Sequence, residues 1–339
     1  MQRRSARALG ALAATSALIL TGCGTQSSDR GDELSSHSAE RTVRAQQFMH
    51  LTEVHAETGM TLLEGPTFGE DGGLFVVDVT APDGKPKVIR VDVRRKTHRA
   101  VHTKGNASYA SAQFSPYDGR LYLSDFAHGE IVSLAPDGGD PRTFFTGDVD
   151  GAPMNPDDIA FDQDGNLYIS DSRGMTEGEA HGRIVRIDRS GRKVTVLADD
   201  LASPNGISFD VGYRGLWFSE LTENRISYLR RDMEGAATPR HTAIRVDGGT
   251  AQTDSIAVDA AGNLYQGLHG RAAMAVYNTH GERIATVELP ARTKGLDEAT
   301  NVAITPGGTQ AYMTVSGPAG GYLYTFEALA KGIRQSNGG

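Results

Sequence analysis

The chain has 339 residues, of which 38% are hydrophobic and 22% are charged, and 41 are glycine. This composition excludes a disordered chain and allows one large domain or two small ones. The formal net charge is −8, with no basic run of five or six residues, so nucleic acid is not expected as a partner. Glycines between short apolar runs favour an all-β fold with many turns.

The first 22 residues have the pattern of an export signal. MQRRSARALGALAATSALIL has a basic start and a short apolar core that is too short to span a membrane as a helix. It ends at Leu20-Thr21-Gly22-Cys23, which resembles the cleavage site of bacterial lipoproteins. We therefore predict a signal peptide at residues 1–22 and lipidation of Cys23, the only cysteine of the chain. Both the general secretory and the twin-arginine export routes remain open.

A polar segment follows the predicted cleavage site. Residues 23–45 contain almost no large apolar side chains and cannot bury enough surface to offset their ordering entropy. We expect a flexible tether that holds a folded body, residues 46–339, on the extracytoplasmic face of the cell membrane. The lipid anchor is then the only membrane contact, and the body is expected to be a monomer.

The body consists of six copies of one pattern, numbered here as units one to six. The copies read GPTFGEDGGLFVVDV, AQFSPYDGRLYLSDF, DIAFDQDGNLYISDS, GISFDVGYRGLWFSE, SIAVDAAGNLYQGLH and NVAITPGGTQAYMTV. Their repeated aromatic residues lie 46 to 49 positions apart, at Phe75, Tyr122, Tyr168, Trp217, Tyr265 and Tyr312. A hairpin signal at this period predicts a six-bladed β-propeller with four-stranded blades around a central channel. A β-sandwich with coincidental spacing is the alternative.

One position recurs at the start of the first strand in every unit. It lies eleven residues before the aromatic, or twelve in unit four, and is called the inner column: Glu64, Ser111, Asp157, Asn205, Asp254 and Asn301. Because the first strands of a propeller line its channel, these six side chains are expected to converge at one mouth.

The inner column predicts a metal site. Two carboxylates at ~4 Å repel each other by roughly 4 kcal/mol at an effective dielectric of ~20, so a cation or protons must offset the charge. Carboxylate and amide oxygens without histidine or cysteine favour calcium, which Mg²⁺, Mn²⁺ or Zn²⁺ could replace. The alternative is that these polar residues only begin strands and cap turns.

A second column lies three residues after the aromatic in units one to four: Asp78, Asp125, Asp171 and Glu220. These side chains either orient the metal ligands or satisfy loop backbone groups, and the second reading is favoured. No Gly-x-Ser-x-Gly, His-Glu-x-x-His or phosphate-binding glycine loop offers a competing chemistry.

Four short motifs resemble the regucalcin, gluconolactonase and luciferin-regenerating-enzyme family of six-bladed propellers. They are Glu64-Gly65-Pro66, the run from Asp157 to Asp162, Pro204-Asn205-Gly206, and Asp254-Ser255 followed by Ile-Ala-Val-Asp. The Asp-Ser-Arg-Gly run from Asp171 and the segment from Leu323 to Gly332 are most similar to the drug-responsive lactonases within that family. The resemblance covers roughly residues 50 to 335.

The resemblance implies a set of site residues. The metal ligands of the family correspond to Glu64, Asp157, Asn205 and Asp254, and Asp254 also corresponds to the proposed acid or base. Ser255 matches a residue beside the metal, and Ser111, Asp158 and Asn301 are expected around the substrate or the ligands. The lactonase relatives have a histidine at position 301, and they hold a second, structural calcium in a loop that reads TGDVDGAPMN here, where Asp148 or Asp150 could contribute.

The expected function is calcium-dependent hydrolysis of a lactone or a related cyclic ester. The cation would polarise the carbonyl, and Asp254 would take a proton from the attacking water and return it to the leaving alkoxide. Two alternatives remain open: a non-enzymatic propeller that binds a ligand or partner, and a hydrolase of phosphoesters or of a specialised metabolite at the same site. The choice of substrate depends on loops such as GMTEGEAHG, residues 174–182.

Overall fold

The structure is a computed structural model, and it describes residues 40–174, 180–231 and 237–334. The predicted signal peptide, Cys23 and most of the predicted tether lie outside these residues, as do positions 175–179 of the GMTEGEAHG loop. Within the described residues the only helix is a 3-10 turn at Leu221–Glu223, and the remaining regular elements are strands. No helix in this part of the chain has the length and apolar character needed to cross a membrane.

The strands follow the repeat units in order. Two N-terminal strands precede the units: β1 (Arg41–Arg44) and β2 (Gln46–Thr52). Unit one forms β3 to β6, which span Leu63–Phe68, Leu74–Asp78, Val88–Asp92 and Thr97–His102. Unit two forms β7 to β10, which span Tyr109–Phe114, Leu121–Asp125, Glu130–Leu134 and Arg142–Phe145. Unit three forms β11 to β14, which span Pro156–Phe161, Leu167–Asp171, Gly182–Ile187 and Val194–Leu201.

The later units are built in the same way. Unit four forms β15 to β18, which span Pro204–Phe209, Gly215–Glu220, Arg225–Arg231 and Ala237–Arg245. Unit five forms β19 to β22, which span Gln252–Val258, Leu264–His269, Ala273–Tyr277 and Arg283–Glu288. Unit six forms β23 to β25, which span Glu298–Ile304, Gln310–Gly317 and Gly320–Glu327.

The arrangement is a β-propeller. Units one to four each form a separate four-stranded antiparallel sheet, and units five and six share a nine-stranded sheet. The prediction of six separate four-stranded blades is therefore not confirmed by the sheets. The two halves of the large sheet meet at one residue pair, Leu268 and Ala299. The first strands form a closed ring, because β3, β7, β11, β15, β19 and β23 each contact the next and β23 returns to β3.

Packing between neighbouring units explains the repeated aromatics. Four of them meet, edge to face, the phenylalanine that ends the first strand of the following unit. These pairs, with ring centroids 4.9 to 5.9 Å apart, are Phe75–Phe114, Tyr122–Phe161, Tyr168–Phe209 and Tyr312–Phe68. The last pair joins unit six to unit one. Edge-to-face contacts add to the burial of apolar area, so the aromatics hold the ring together.

The N-terminal strands correct the predicted end of the tether. β1 pairs in parallel with β22, although residues up to 45 were expected to be flexible. The polar composition led us to underestimate how ordered this segment is. Strand pairing satisfies its backbone hydrogen bonds, and Val43 and Ala45 are buried against units five and six. An ion pair between Arg44 Nη1 and Glu288 Oε2, at 2.7 Å, lies at the end of the pairing. β2 then completes unit six by pairing antiparallel with β25.

Close approach of the first strands makes one glycine intolerant of substitution. A Cβ atom on Gly206 would lie 2.4 Å from the backbone nitrogen of Ile256 and 2.6 Å from Ser255 Cα. We expect Gly206→Ala to lower the free energy of unfolding by about 1–3 kcal/mol, the usual cost of overpacking, in a chemical denaturation experiment. Gly308→Ala is the control, since its Cβ would meet nothing closer than 3.5 Å. Equal stability of the two variants would contradict this close packing.

Candidate functional site

The inner column stands at irregularities in the first strands. Each first strand pairs with the second strand of its own unit, and each pairing contains a register shift. The shifts lie between Glu64 and Thr67, Tyr109 and Ser111, Pro156 and Ile159, Pro204 and Ile207, Thr253 and Ile256, and Ala299 and Val302. Every inner-column residue lies at or within one of them. A β-bulge redirects side chains locally, which allows adjacent residues such as Asp157 and Asp158 to serve one site.

The structure brings several of the predicted site residues into contact. All six inner-column side chains are buried, as are Asp158 and Ser255. Asn205 Nδ2 donates a hydrogen bond to Asp157 Oδ2 at 3.1 Å, and the Ser111 hydroxyl donates to Asp158 Oδ1. Asn301 contacts its own strand, where its Oδ1 accepts from the backbone nitrogen of Val302 at 2.8 Å. The predicted contacts between inner-column residues and their neighbours are thus seen for Asp157 with Asn205 and for Ser111 with Asp158.

Four buried carboxyl groups share one electrostatic environment. Burial, followed by the charges of Asp254, Asp157 and Asp158, raises the pKa of Glu64 well above its ordinary value. The pKa of Asp157 is raised in the same way, by burial and then by Asp254 and Asp158. Burial raises the pKa of Asp158 to about 6, against the opposing hydrogen bond from Ser111. Such mutual repulsion is the condition under which a cluster takes up protons or a cation.

Asp254 has a histidine neighbour that the sequence did not reveal. Burial raises the pKa of Asp254 to about 7, and His269 opposes this rise. His269 Nδ1 lies 4.0 Å from Asp254 Oδ2 and 2.9 Å from Glu298 Oε2. The hydrogen bond with Glu298 raises the pKa of His269 to about 9, and the imidazole side chain is 42% exposed. His269 lies at the end of β20 and Glu298 at the start of β23, and neither occupies a position of recurring residue type in the six units.

The second column supports the loops that precede the first strands. Each carboxylate accepts a backbone N–H from the loop of its own unit, at 2.8 to 3.3 Å: Leu62 to Asp78, Ser108 to Asp125, Asn155 to Asp171 and Ala202 to Glu220. Each also faces a basic side chain, namely His55, His128, Arg183 and Arg225 respectively. These contacts match the favoured interpretation, in which the second column satisfies loop backbone.

The donors of the inner column fit a hard cation. Apart from the Ser111 hydroxyl they are carboxylate and amide oxygens, and the buried Oδ1 of Asn205 has no hydrogen-bond partner. An unpaired buried amide oxygen is costly unless something else binds it. Among the described residues, no three His, Cys, Asp or Glu side chains form a closed metal cluster. The fit therefore rests on donor chemistry and on the unpaired Asn205 oxygen.

The loop that would hold a second calcium in the lactonase relatives shows no cation site among the described residues. Asp148 and Asp150 are exposed, and neither belongs to a metal-binding group among the residues that the structure describes. The loop does contain a short bridge between Val149 and Ala152. Asp148 and Asp150 thus stay a prediction without a geometric counterpart.

A family comparison gives the chain its relationship to known proteins. The sequence profile described as SMP-30/Gluconolactonase/LRE-like region matches residues 62–317. The chain belongs to the SMP-30/gluconolactonase/LRE-like family. Lactonase drp35 of Staphylococcus aureus (strain USA300) is 26% identical over 311 residues, which cover 88% of this chain and 91% of that protein. Lactonase drp35 of Staphylococcus haemolyticus (strain JCSC1435) is 25% identical over 313 residues, with the same coverage of both chains.

Solved structures share the fold of this family member. Regucalcin from Agrobacterium tumefaciens, described as a calcium-binding protein, superposes with a TM-score of 0.69 at 17% identity, over 87% of this chain and 99% of its own. A gluconolactonase from Xanthomonas campestris gives a TM-score of 0.66 at 20% identity, over 84% and 89% of the two chains. At these identities the likeness concerns the fold. The resemblance seen in the four sequence motifs is confirmed at the level of the family.

This SMP-30/gluconolactonase/LRE-like protein also has a cavity at the ends of three first strands, away from the inner column. The cavity has a volume of about 350 Å³ and is lined by aromatic residues that include Phe68, Phe114 and Phe161. These three residues end strands β3, β7 and β11, whereas the inner column lies near the beginnings of the same strands. The cavity and the carboxylates are therefore separate features.

Proposed function

We propose that this chain is a calcium-dependent hydrolase that opens lactones or related cyclic esters. The observation that carries the proposal is the group of buried carboxyls in the inner column, whose pKa values are raised by burial and by one another. The unpaired amide oxygen of Asn205 adds a neutral donor of the kind that calcium accepts. Family membership and the printed names of the lactonase and gluconolactonase relatives support the reaction class.

The propeller that carries this site is proposed to have six blades. In this view the nine-stranded sheet comprises two blades, formed by units five and six, whose strands pair with each other at Leu268 and Ala299. The ring of six first strands supports this count. So do the six apolar clusters of the described residues, because each cluster is shared by two neighbouring units.

In the proposed mechanism, Glu64, Asp157, Asn205 and Asp254 would hold the cation. When bound, the cation supplies Lewis-acid polarisation of the ester carbonyl. Asp254 accepts a proton from the attacking water and returns it to the leaving alkoxide. His269, held by Glu298 and half exposed beside Asp254, is positioned to donate a hydrogen bond to bound substrate.

A substrate screen tests the reaction. The protein, freed of metal by chelation, would be assayed with aliphatic and aromatic lactones, phosphotriesters and phosphomonoesters, with and without Ca²⁺. We expect lactone hydrolysis that depends on calcium, and parallel assays with Mg²⁺, Mn²⁺ and Zn²⁺ show which metals substitute. Lactone turnover that survives exhaustive chelation would exclude the proposed mechanism. Calcium-dependent turnover of phosphoesters alone would reassign the substrate class, and ligand binding without turnover would favour a non-enzymatic propeller.

We also propose that the protein is displayed as a lipoprotein on the extracytoplasmic face of the cell membrane. The basic start, the short apolar core and the Leu-Thr-Gly-Cys sequence support this location. Cys23→Ser removes the only thiol that could carry the lipid, so the variant should no longer partition into the detergent phase in a phase-separation assay. Unchanged partitioning would contradict lipidation at Cys23. Ser27→Ala, a nearby change in the predicted tether, is the control and should partition like the unaltered protein.

A further inference from the structure

A hydroxyl recurs in the second strands, two residues after the repeated aromatic. Ser124, Ser170 and Ser219 occupy this position in units two, three and four, and all three are buried. Each serine hydroxyl donates a hydrogen bond to the backbone carbonyl of the inner-column residue in the next unit. Ser124 bonds the carbonyl of Asp157, Ser170 that of Asn205, and Ser219 that of Asp254 at 2.6 Å.

Two of these hydroxyls also bind the first strand of their own unit. Ser170 Oγ accepts the backbone N–H of Asp158 at 2.9 Å, and Ser219 Oγ accepts that of Gly206 at 2.8 Å. Asp158 and Gly206 directly follow inner-column residues within the register shifts. A single buried hydroxyl therefore ties together two neighbouring inner-column positions, where the strand pairing itself is interrupted.

The three serine hydroxyls bond three of the four expected metal ligands, whereas the hydroxyl of Thr314 at the same position of unit six bonds the backbone of Asn301 in its own unit. Asp157, Asn205 and Asp254 each receive a serine bond from the preceding unit. The family resemblance does not assign Ser111 and Asn301 as ligands. The units that precede them have Val77 and Gly267 at the serine position, and these residues carry no hydroxyl. For the remaining ligand, Glu64, hydroxyls of unit six bind the adjacent Leu63: Ser316 Oγ accepts its N–H at 2.9 Å and Thr300 donates to its carbonyl at 2.7 Å.

We propose that Ser124, Ser170 and Ser219 are positioning residues that set the geometry of the metal site by fixing the backbone of its ligands. The proposal rests on the proposed function, because it takes the inner column as the metal site. A ligand on a bulged strand lacks part of its normal ladder pairing, so its backbone can shift unless another group holds it. A hydroxyl shared between adjacent units restricts Asp157, Asn205 and Asp254 to one arrangement relative to each other. Outer-shell groups of this kind commonly change metal affinity by ~10–100-fold when removed.

The test is a calcium titration of full-length variants, with Ca²⁺ alone as the probe. Ser170→Ala and Ser219→Ala should each weaken calcium binding by ~10–100-fold in isothermal titration calorimetry. Ser170→Thr and Ser219→Thr should retain most of the affinity, because threonine keeps the hydroxyl that bonds the carbonyl of the next unit. Ser208→Ala is the matched control: Ser208 is buried on β15, and its hydroxyl lies 3.5 Å from the carbonyl of Phe209.

Thermal unfolding in the presence of chelator separates positioning from general stability. We expect the Ser170→Ala and Ser208→Ala proteins to have similar melting temperatures without metal and different calcium affinities. Unchanged calcium affinity in both Ser170→Ala and Ser219→Ala would overturn the proposal, as would a loss of affinity of equal size in Ser208→Ala. Absence of calcium binding by the unaltered protein would overturn the metal site as well. Calcium binding without lactone hydrolysis would overturn only the proposed reaction.

Discussion

Replacing Asp254 by asparagine is expected to lower turnover by ~10²–10⁴-fold, the usual effect of removing a general base. Asparagine keeps an oxygen that can coordinate a cation, but it cannot accept a proton. The Asp254→Asn protein should therefore still bind calcium, at raised concentration, while its turnover stays low at saturating calcium. The measurement is kcat as a function of calcium concentration, with calcium binding followed separately by calorimetry.

Asn205→Ala is the matched comparison for this experiment. It removes a neutral oxygen donor and no proton acceptor, so excess calcium should restore much of its turnover. The two variants are therefore expected to differ in whether excess calcium restores turnover, as well as in how much turnover they lose. If calcium returns Asp254→Asn to near the unaltered turnover, Asp254 is a ligand only, and the base must be sought in Asp157, Asp158 or a bound hydroxide.

Removing calcium is expected to destabilise the protein more at pH 8 than at pH 5. In the metal-free fold the pKa of Asp254 rises from 3.8 to about 7 and that of Asp158 to about 6. Between pH 4 and 7 the folded chain therefore binds more protons than the unfolded chain, so stability falls as the pH rises through this window. Each unit of pKa difference corresponds to ~1.4 kcal/mol, so the loss amounts to a few kcal/mol.

The measurement is the melting temperature across this pH range, with chelator and with calcium. Calcium should raise the melting temperature at pH 8 by several degrees, because it replaces the protons that offset repulsion at low pH. It should do little at pH 5, where protons compete for the same oxygens. Asp254→Asn removes one of the shifted groups and should flatten the profile of the metal-free protein. A metal-free melting temperature that rises towards pH 8 would contradict the raised pKa values of Asp254 and Asp158.

Much of the fold could be predicted because each structural repeat carries the same residue types at the same positions. The aromatic at each 46-to-49-residue step marks the second strand, and the structure shows why it recurs: Tyr168, for example, packs on Phe209 of the next unit. The pairing of β1 with β22 could not be read in the same way. It depends on an open sheet edge provided by distant residues, and the local composition of RTVR gives no sign of it.

The positions of the inner column could be predicted for the same reason. Counting back from the aromatics selects six residues, and the structure buries all six at irregularities of the first strands, while the choice of Glu64, Asp157, Asn205 and Asp254 as ligands comes from the family resemblance. Ser124, Ser170 and Ser219 recur in the repeat sequences LYLSD, LYISD and LWFSE. Their bonds to the backbone of the inner column depend on register shifts, which the sequence alone does not reveal. His269 and Glu298 meet only in three dimensions, outside any repeated position.

The closure of the ring by β2 places a constraint on the order of folding. β2 is made early and must wait for β25 near the end of the chain, and the hydrogen bond from Leu63 N to Ser316 Oγ spans a separation of 253 residues. Contacts of such high sequence separation form slowly, because the entropy of closing the loop is lost before the contact stabilises it. The first units can therefore collapse one after another as the chain emerges, while the ring stays open until the last strand arrives. A chain that is interrupted before β25 would leave the backbone edge of β2 unpaired. Completion of unit six is therefore the step that protects the propeller from aggregation and proteolysis.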